Sequence, residues 1–208
     1  KQIFEGVRVL RLDKDTTSQK HELENILNKF QNREADILIG TQMISKGLDF
    51  NHVTLVGILS ADMMLNFPDF KSFENTFQLV TQVSGRAGRS EKEGKVILQT
   101  YDSQSSVIKR IVDYDFEGFY EDEIKIRKLF NYTPFNNMLS VVISGKNELM
   151  VKKNITTLYN NIVYLLKERG IQDFEFILGP NPCSISKINS NYRWQILFKD
   201  DNIEINLL

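Results

Sequence analysis

Hydrophobic positions along the chain change period repeatedly, and each change predicts an element. Val7 to Leu12, VRVLRL, alternates apolar and basic residues, the period of a short strand. After the polar turn Asp13 to Thr17, Thr17 or Ser18 can cap a helix over about residues 19–30, with Leu23, Ile26, Leu27 and Phe30 on its apolar face. ADILIG at Ala35 to Gly40 and VTLVGIL at Val53 to Leu59 are uniformly apolar, the composition of strands buried on both faces. Ser60 to Lys71 reads as a loop, because Pro68 argues against regular structure there. Phe73 to Arg86 returns to helical spacing, and Lys95 to Thr100, KVILQT, to a strand. Strands alternating with helices in this way predict an α/β unit with a parallel sheet covered on both faces.

From Ser105 to about Arg127 the spacing is helical again, through Val107, Ile108, Ile111 and Val112, then Phe116, Phe119, Tyr120 and Ile124. The acidic residues that punctuate it, Asp113 to Glu123, read as a solvated face. Tyr132-Thr133-Pro134-Phe135 marks a boundary. Beyond it, LSVVIS at Leu139 to Ser144 is a strand, and Met150 to Arg169 a helix with Ile155, Leu158, Ile162, Leu165 and Leu166 on one face and Gly170 as its cap. Phe174 to Leu178 is a strand, Gly179-Pro180-Asn181-Pro182 a turn, and Tyr192 to Lys199, YRWQILFK, a third strand. The order β-α-β-β is the first part of a split βαβ, ferredoxin-like α+β domain, and Ile203 to Leu208 would begin its next element. The expected organisation is therefore an α/β lobe over 1–104, a helical connector over 105–135 and a truncated α+β domain over 136–208. The opening Lys1, running almost directly into a strand, suggests a piece of a longer protein.

Composition narrows the classes. With 208 residues, 41% hydrophobic and 25% charged, the chain reads as ordinary soluble globular protein of one or two domains. A net charge of −1 supplies no global field, so a polyanion site must be a local set of placed groups. The single cysteine, Cys183, excludes an internal disulfide and a Cys-rich metal cluster and suits a reducing cytosol. His21 and His52 lack metal-ligand spacing to each other or to Cys183. No apolar run reaches transmembrane length and no secretory signal is visible, which points away from membranes.

Two segments carry candidate chemistry. On a helix, Phe73, Phe77 and Val80 fall on one side, while Gln82 and Arg86 fall opposite, joined by Arg89 if the turn continues. Gly85 and Gly88 leave room beside the guanidiniums, whose planar forks match phosphate oxygens two at a time. The loop Thr41-Gln42-Met43-Ile44-Ser45-Lys46-Gly47-Leu48-Asp49-Phe50 packs hydroxyl, amide, ammonium and carboxylate groups between two apolar strands. Thr41 suits a phosphate oxygen, Lys46 beside Gly47 offers a point charge, and Asp49 can accept from a ribose hydroxyl or hold an arginine. A tight turn capped by an Asp would explain the loop as well.

Taken together, these segments resemble superfamily 2 helicases. TxxxxKGxDF at Thr41 to Phe50 is similar to motif V of their second lobe, and QVSGRAGR at Gln82 to Arg89 to motif VI. LSADMMLNFPDF, RLDKDTT, GPNPCSISKI and YRWQIL extend the likeness over nearly the whole chain to the bacterial primosomal replication-restart helicases, the primosomal protein N′ family. The resemblance implies a RecA-like second lobe and a C-terminal domain of an ATP-dependent 3′-to-5′ DNA helicase. Such an enzyme binds abandoned forks in the bacterial cytoplasm and reloads the replicative machinery with primosome proteins and single-stranded DNA-binding protein. It implies ATP with Mg²⁺ held mainly by the other lobe, with Arg86 and Arg89 reaching the γ-phosphate, Arg89 as the arginine finger. It places Gln82 near the attacking water, Gly47 and Asp49 by the nucleotide, and Thr41, Gln42 and Lys46 on the DNA side. No GxxxxGK[ST], DExH-type box or zinc-binding cysteine set of that family occurs here, so the chain by itself is expected to be inactive.

In the last domain Lys187, Tyr192, Arg193 and Trp194 interleave cations with aromatics, a pattern suited to single-stranded DNA. Trp194 equally suits the core of a small domain, which makes Lys187 and Arg193 the better DNA contacts. Two alternatives accompany the first reading: lobe 2 of another superfamily 2 protein (RecG-like or an RNA helicase), or a non-catalytic DNA-binding or protein-docking module.

Overall fold

Val9–Leu12 (β1) and Ile37–Gly40 (β2) pair in parallel, joined by the helix Lys20–Gln31 (α1). This crossover is what the switch from period two to period 3.6 demands. The computed structural model describes residues 5–13, 20–41, 50, 52–85, 87 and 93–200. Arg8 and Asp36 clamp the start of the β1–β2 pair: Asp36 accepts from the Arg8 backbone N–H at 2.9 Å and from its guanidinium at 2.8 and 3.1 Å. A second parallel pair joins Leu55–Ile58 (β3) to Lys95–Leu98 (β4). Between them run Ala61–Leu65 (α2) and Ser72–Ser84 (α3).

The lobe is thus α/β with parallel pairing, but its sheet differs from the one the apolar runs predict. Among the described residues the strands form two separate pairs, not one sheet covered on both faces. Ile39, Leu55 and Ile97 are each more than half exposed. A four-residue strand in a two-stranded pair keeps one edge unpaired and is hidden only where a helix packs over it. Leu12, on the strand that α1 contacts, is fully buried. The expected loop after β3 begins with α2, held by Asp62. Burial raises the pKa of that carboxyl, but hydrogen bonds from the Thr100 hydroxyl at 2.8 Å and the Tyr101 N–H outweigh it and the net shift is down.

The helical stretch consists of Ser106–Val112 (α4) and Phe116–Leu129 (α5), separated at Tyr114, whose φ is 53°. Asp115 starts α5 by accepting from the Gly118 N–H at 2.9 Å. The acidic run is not solvated throughout. Glu123 is buried, not solvated, because Arg127 one turn later pairs with it at 2.9 Å. Phe116 and Tyr120 are exposed, and Phe119 alone of the three is buried.

Asn137–Gly145 (β5), Glu148–Glu168 (α6), Ile177–Ile188 (β6) and Asn191–Asp200 (β7) complete the described chain. The sheet order is β5-β7-β6, with β7 antiparallel to both neighbours, so β5 and β6 run parallel on either side of it. Ile155 of α6 meets Ile177 and Ile196 in a core closed by Ile143, Leu158, Ile162, Leu166, Trp194 and Phe198. Leu165, assigned to that face by spacing, is exposed instead. Gly170 follows α6 with φ 80°, the left-handed position that ends a helix.

The predicted turn at Gly179 to Pro182 is strand: β6 runs through it, with register shifts between Leu178 and Asn181 and between Pro182 and Lys187. Pairing with β7 overrides the local turn chemistry, and the irregularities absorb the residues that do not fit the ladder. Gly179 takes φ 109°, where a Cβ would lie 2.9 Å from the Gln195 carbonyl oxygen. Residues 203–208 lie outside the described residues. Two compact units result, one of residues 1–65 and 73–114, the other of residues 66–72 and 115–208.

Candidate nucleic-acid interface

Ile188 and Asn191 pair across a two-residue connection, Asn189 and Ser190, both with positive φ (48° and 63°). Such a turn matches the twist of a hairpin and fixes the register of β6 on β7. The register sets Lys187 opposite Tyr192. Lys187 Nζ lies 3.2 Å from Tyr192 Oη and 4.4 Å from the centre of its ring. The pair combines a stacking surface with a phosphate-seeking cation.

Alternation along β7 separates its neighbours. Trp194, on the same side as fully buried Ile196, packs against the Ile155–Ile177–Ile196 core. Lys152 Nζ of α6 lies 5.4 Å from its ring centre, a cation that spacing alone did not single out. Arg193 points to the other side, paired in register with Ser144, and its guanidinium approaches the Ile185 carbonyl at 3.5 Å. Of the four residues expected here, Lys187 and Tyr192 are brought together, Arg193 is adjacent on the opposite face, and Trp194 is turned into the packing.

In the first unit, α3 buries Thr76, Phe77, Val80 and Ser84. Phe73, expected on the same side as Phe77 and Val80, is more exposed than either, and Thr76 is fully buried. Gln82 falls on the opposite side and is exposed. Thr41 follows the last residue of β2 and is also exposed. Phe50, where the polar loop ends, sets its ring edge-on to Phe30 of α1 at 4.8 Å, with His52 5.2 Å from Phe30. That cluster, invisible to spacing, packs Phe50 and His52 against α1. Gln42, Lys46, Gly47, Asp49, Arg86 and Arg89 lie outside the described residues. Among the described residues, no group of three or more His, Cys, Asp or Glu is placed to hold a metal ion, and no helix is long and apolar enough to cross a membrane.

Residues 1–91 match the helicase conserved C-terminal domain family, and residues 128–206 match the primosomal protein N C-terminal domain family. A helicase lobe followed in one chain by a primosomal domain defines the class. The replication restart protein PriA of Synechocystis is 43% identical over 198 residues, 95% of this chain and 23% of that protein. Those of Bacillus subtilis (46% over 197 residues, 95% and 24%) and Chlamydia trachomatis (37% over 203 residues, 98% and 26%) are similar over the same extent. Over nearly its whole length the chain is similar to these replication restart proteins, and it spans about a quarter of theirs.

Proposed function

We propose that the chain is the C-terminal part of an ATP-dependent 3′-to-5′ DNA helicase that binds stalled or abandoned replication forks in the bacterial cytoplasm and restarts replication through primosome assembly. The observation that carries this reading is the succession of the two family matches, the first of which spans both ILIGTQMISKGLDF and QVSGRAGR. The primosomal match disfavours a RecG-like or RNA helicase and a purely structural module, since neither would join this domain to intact Gln82, Arg86 and Arg89.

The proposed roles follow the chemistry of the groups. The first unit is a RecA-like lobe. Arg86 and Arg89 neutralise charge on a nucleotide whose Mg²⁺ and phosphates are held mainly by a partner lobe, with Arg89 as the finger. Such an arginine is worth roughly 10³–10⁵ in rate. Exposed Gln82 positions the attacking water, Gly47 and Asp49 lie by the nucleotide, and Thr41, Gln42 and Lys46 face the DNA. ATP supplies the transferable phosphoryl group, and the residues of this chain contribute charge and positioning. The second unit, read as a split βαβ domain of ferredoxin-like type, offers Lys187, Tyr192 and Arg193 to single-stranded or forked DNA, while Trp194 anchors the strand that bears two of them. Primosome proteins and single-stranded DNA-binding protein are the expected partners, and zinc belongs to other parts of such a helicase.

The test is binding of a labelled fork by this chain across a salt series. Log affinity should fall linearly with log salt, and Lys187→Glu with Arg193→Glu should flatten that slope by about 1–2 units while weakening binding. An unchanged slope removes these two cations from the interface.

A further inference from the structure

Residues 66–72 lie in sequence between α2 and α3, yet they belong to the second compact unit, while α2 and α3 from Phe73 onward belong to the first. Several contacts inside the second unit hold the segment. The Pro68 carbonyl accepts from the Ser184 hydroxyl of β6 at 2.6 Å. Phe70 stacks on Tyr132, ring centres 5.2 Å apart and planes 24° from parallel. Each ring also carries a cation: Arg127 of α5 lies 5.3 Å from the centre of Phe70, and Lys199 Nζ of β7 lies 4.3 Å from that of Tyr132. The Lys199 ammonium donates to the Phe130 carbonyl as well, and desolvation lowers its pKa below the usual lysine range. Ser72 closes the segment, its hydroxyl 2.6 Å from the Asp69 carbonyl, and begins α3.

A surface loop between two helices needs none of this. Two of the anchors, Ser184 and Lys199, sit on the strands that carry Lys187, Tyr192 and Arg193. Ser184 precedes Ile185, whose carbonyl the Arg193 guanidinium approaches. The other end of the segment is continuous with the helix that presents Gln82. We propose that residues 66–72 form a strap that makes α3 respond to DNA bound on the β6–β7 hairpin, with Phe70 and Tyr132 as its positioning residues. The strap rests on the DNA-binding reading of that hairpin. The hairpin is one end of the coupling, the Phe70–Tyr132 stack is its joint, and the covalent run into α3 is its output.

Hydrogen exchange on this chain, with and without a single-stranded oligothymidine, tests it. In the wild type, DNA should slow exchange several-fold both in residues 183–193 and in residues 66–84. Tyr132→Ala should keep the protection of 183–193 and lose that of 66–84, and Tyr132→Phe, which preserves the stack, should restore it. Should Tyr132→Ala fail to fold, Phe70→Leu is measured in the same way with the same expectation. Protection of 183–193 without any response in 66–84 of the wild type overturns the strap and leaves the DNA interface standing. So does protection of 66–84 that survives loss of the stack. No response in either segment overturns the DNA interface and the strap together.

Discussion

Lys187 and Tyr192 face each other across the second pair from the β6–β7 turn, the ammonium 3.2 Å from the phenol oxygen and 4.4 Å from the ring centre. The ring holds the flexible lysine in place at the end of the hairpin.

Tyr192→Ala should therefore weaken binding of single-stranded DNA by about 1–3 kcal/mol, the usual value of one stacking aromatic. Tyr192→Phe should retain most of the affinity. Fluorescence anisotropy with a labelled oligothymidine measures both. Wild-type affinity in the alanine variant would reduce Tyr192 to a spacer beneath Lys187.

Gly179 is held at φ 109° against the backbone of β7, with the Gln195 carbonyl 2.9 Å from where a Cβ would stand. Gly179→Ala should destabilise the chain by about 1–3 kcal/mol, the cost of a side chain in such a backbone conformation. Urea unfolding measures it, as a lower midpoint with an unchanged slope. A midpoint equal to wild type would mean that β6 relaxes without cost at this irregularity.

The Arg8–Asp36 clamp is pH-dependent. Side-chain and backbone hydrogen bonds from Arg8 hold the Asp36 carboxyl down at about 2. A carboxyl depressed in the folded state contributes stability above its unfolded pKa of about 4, and loses it as pH falls toward the folded value. Asp36→Asn should thus lower the melting temperature slightly near neutral pH. The gap from wild type should close between about pH 4 and pH 2. The clamp is exposed, so the gap should also shrink in high salt. A gap independent of pH would show that the amide breaks something other than the ion pair.

What the sequence made legible was local. Gly170 ends α6 because a left-handed backbone position selects glycine, and a residue type can announce that without its surroundings. The face of α3 was readable for a similar reason: Phe77 and Val80 against Gln82 is a matter of helical period. Gly179 to Pro182 misled because its turn chemistry is real but loses to pairing with β7, which lies about fourteen residues further on. Glu123 misled because an acidic run looks solvated until one member meets an arginine a turn away. The Phe70–Tyr132 stack and the Ser184–Pro68 bond had no signal at all, since they join segments far apart in sequence. Leu165 shows the same limit on a helix, where α6 has more apolar positions than the sheet covers.

Under the proposed function, Arg86 and Arg89 together with Gln82 complete an ATPase site whose phosphate-binding half lies on another lobe. The most direct measurement is DNA-dependent ATP hydrolysis by the full-length protein, by its Arg89→Ala variant and by this chain alone. Robust hydrolysis is expected in the first, a loss of roughly 10³-fold or more in the second with ATP and fork binding retained, and none in the third. Hydrolysis by Arg89→Ala within a few-fold of wild type, or DNA-stimulated turnover by this chain alone, would contradict the proposed function.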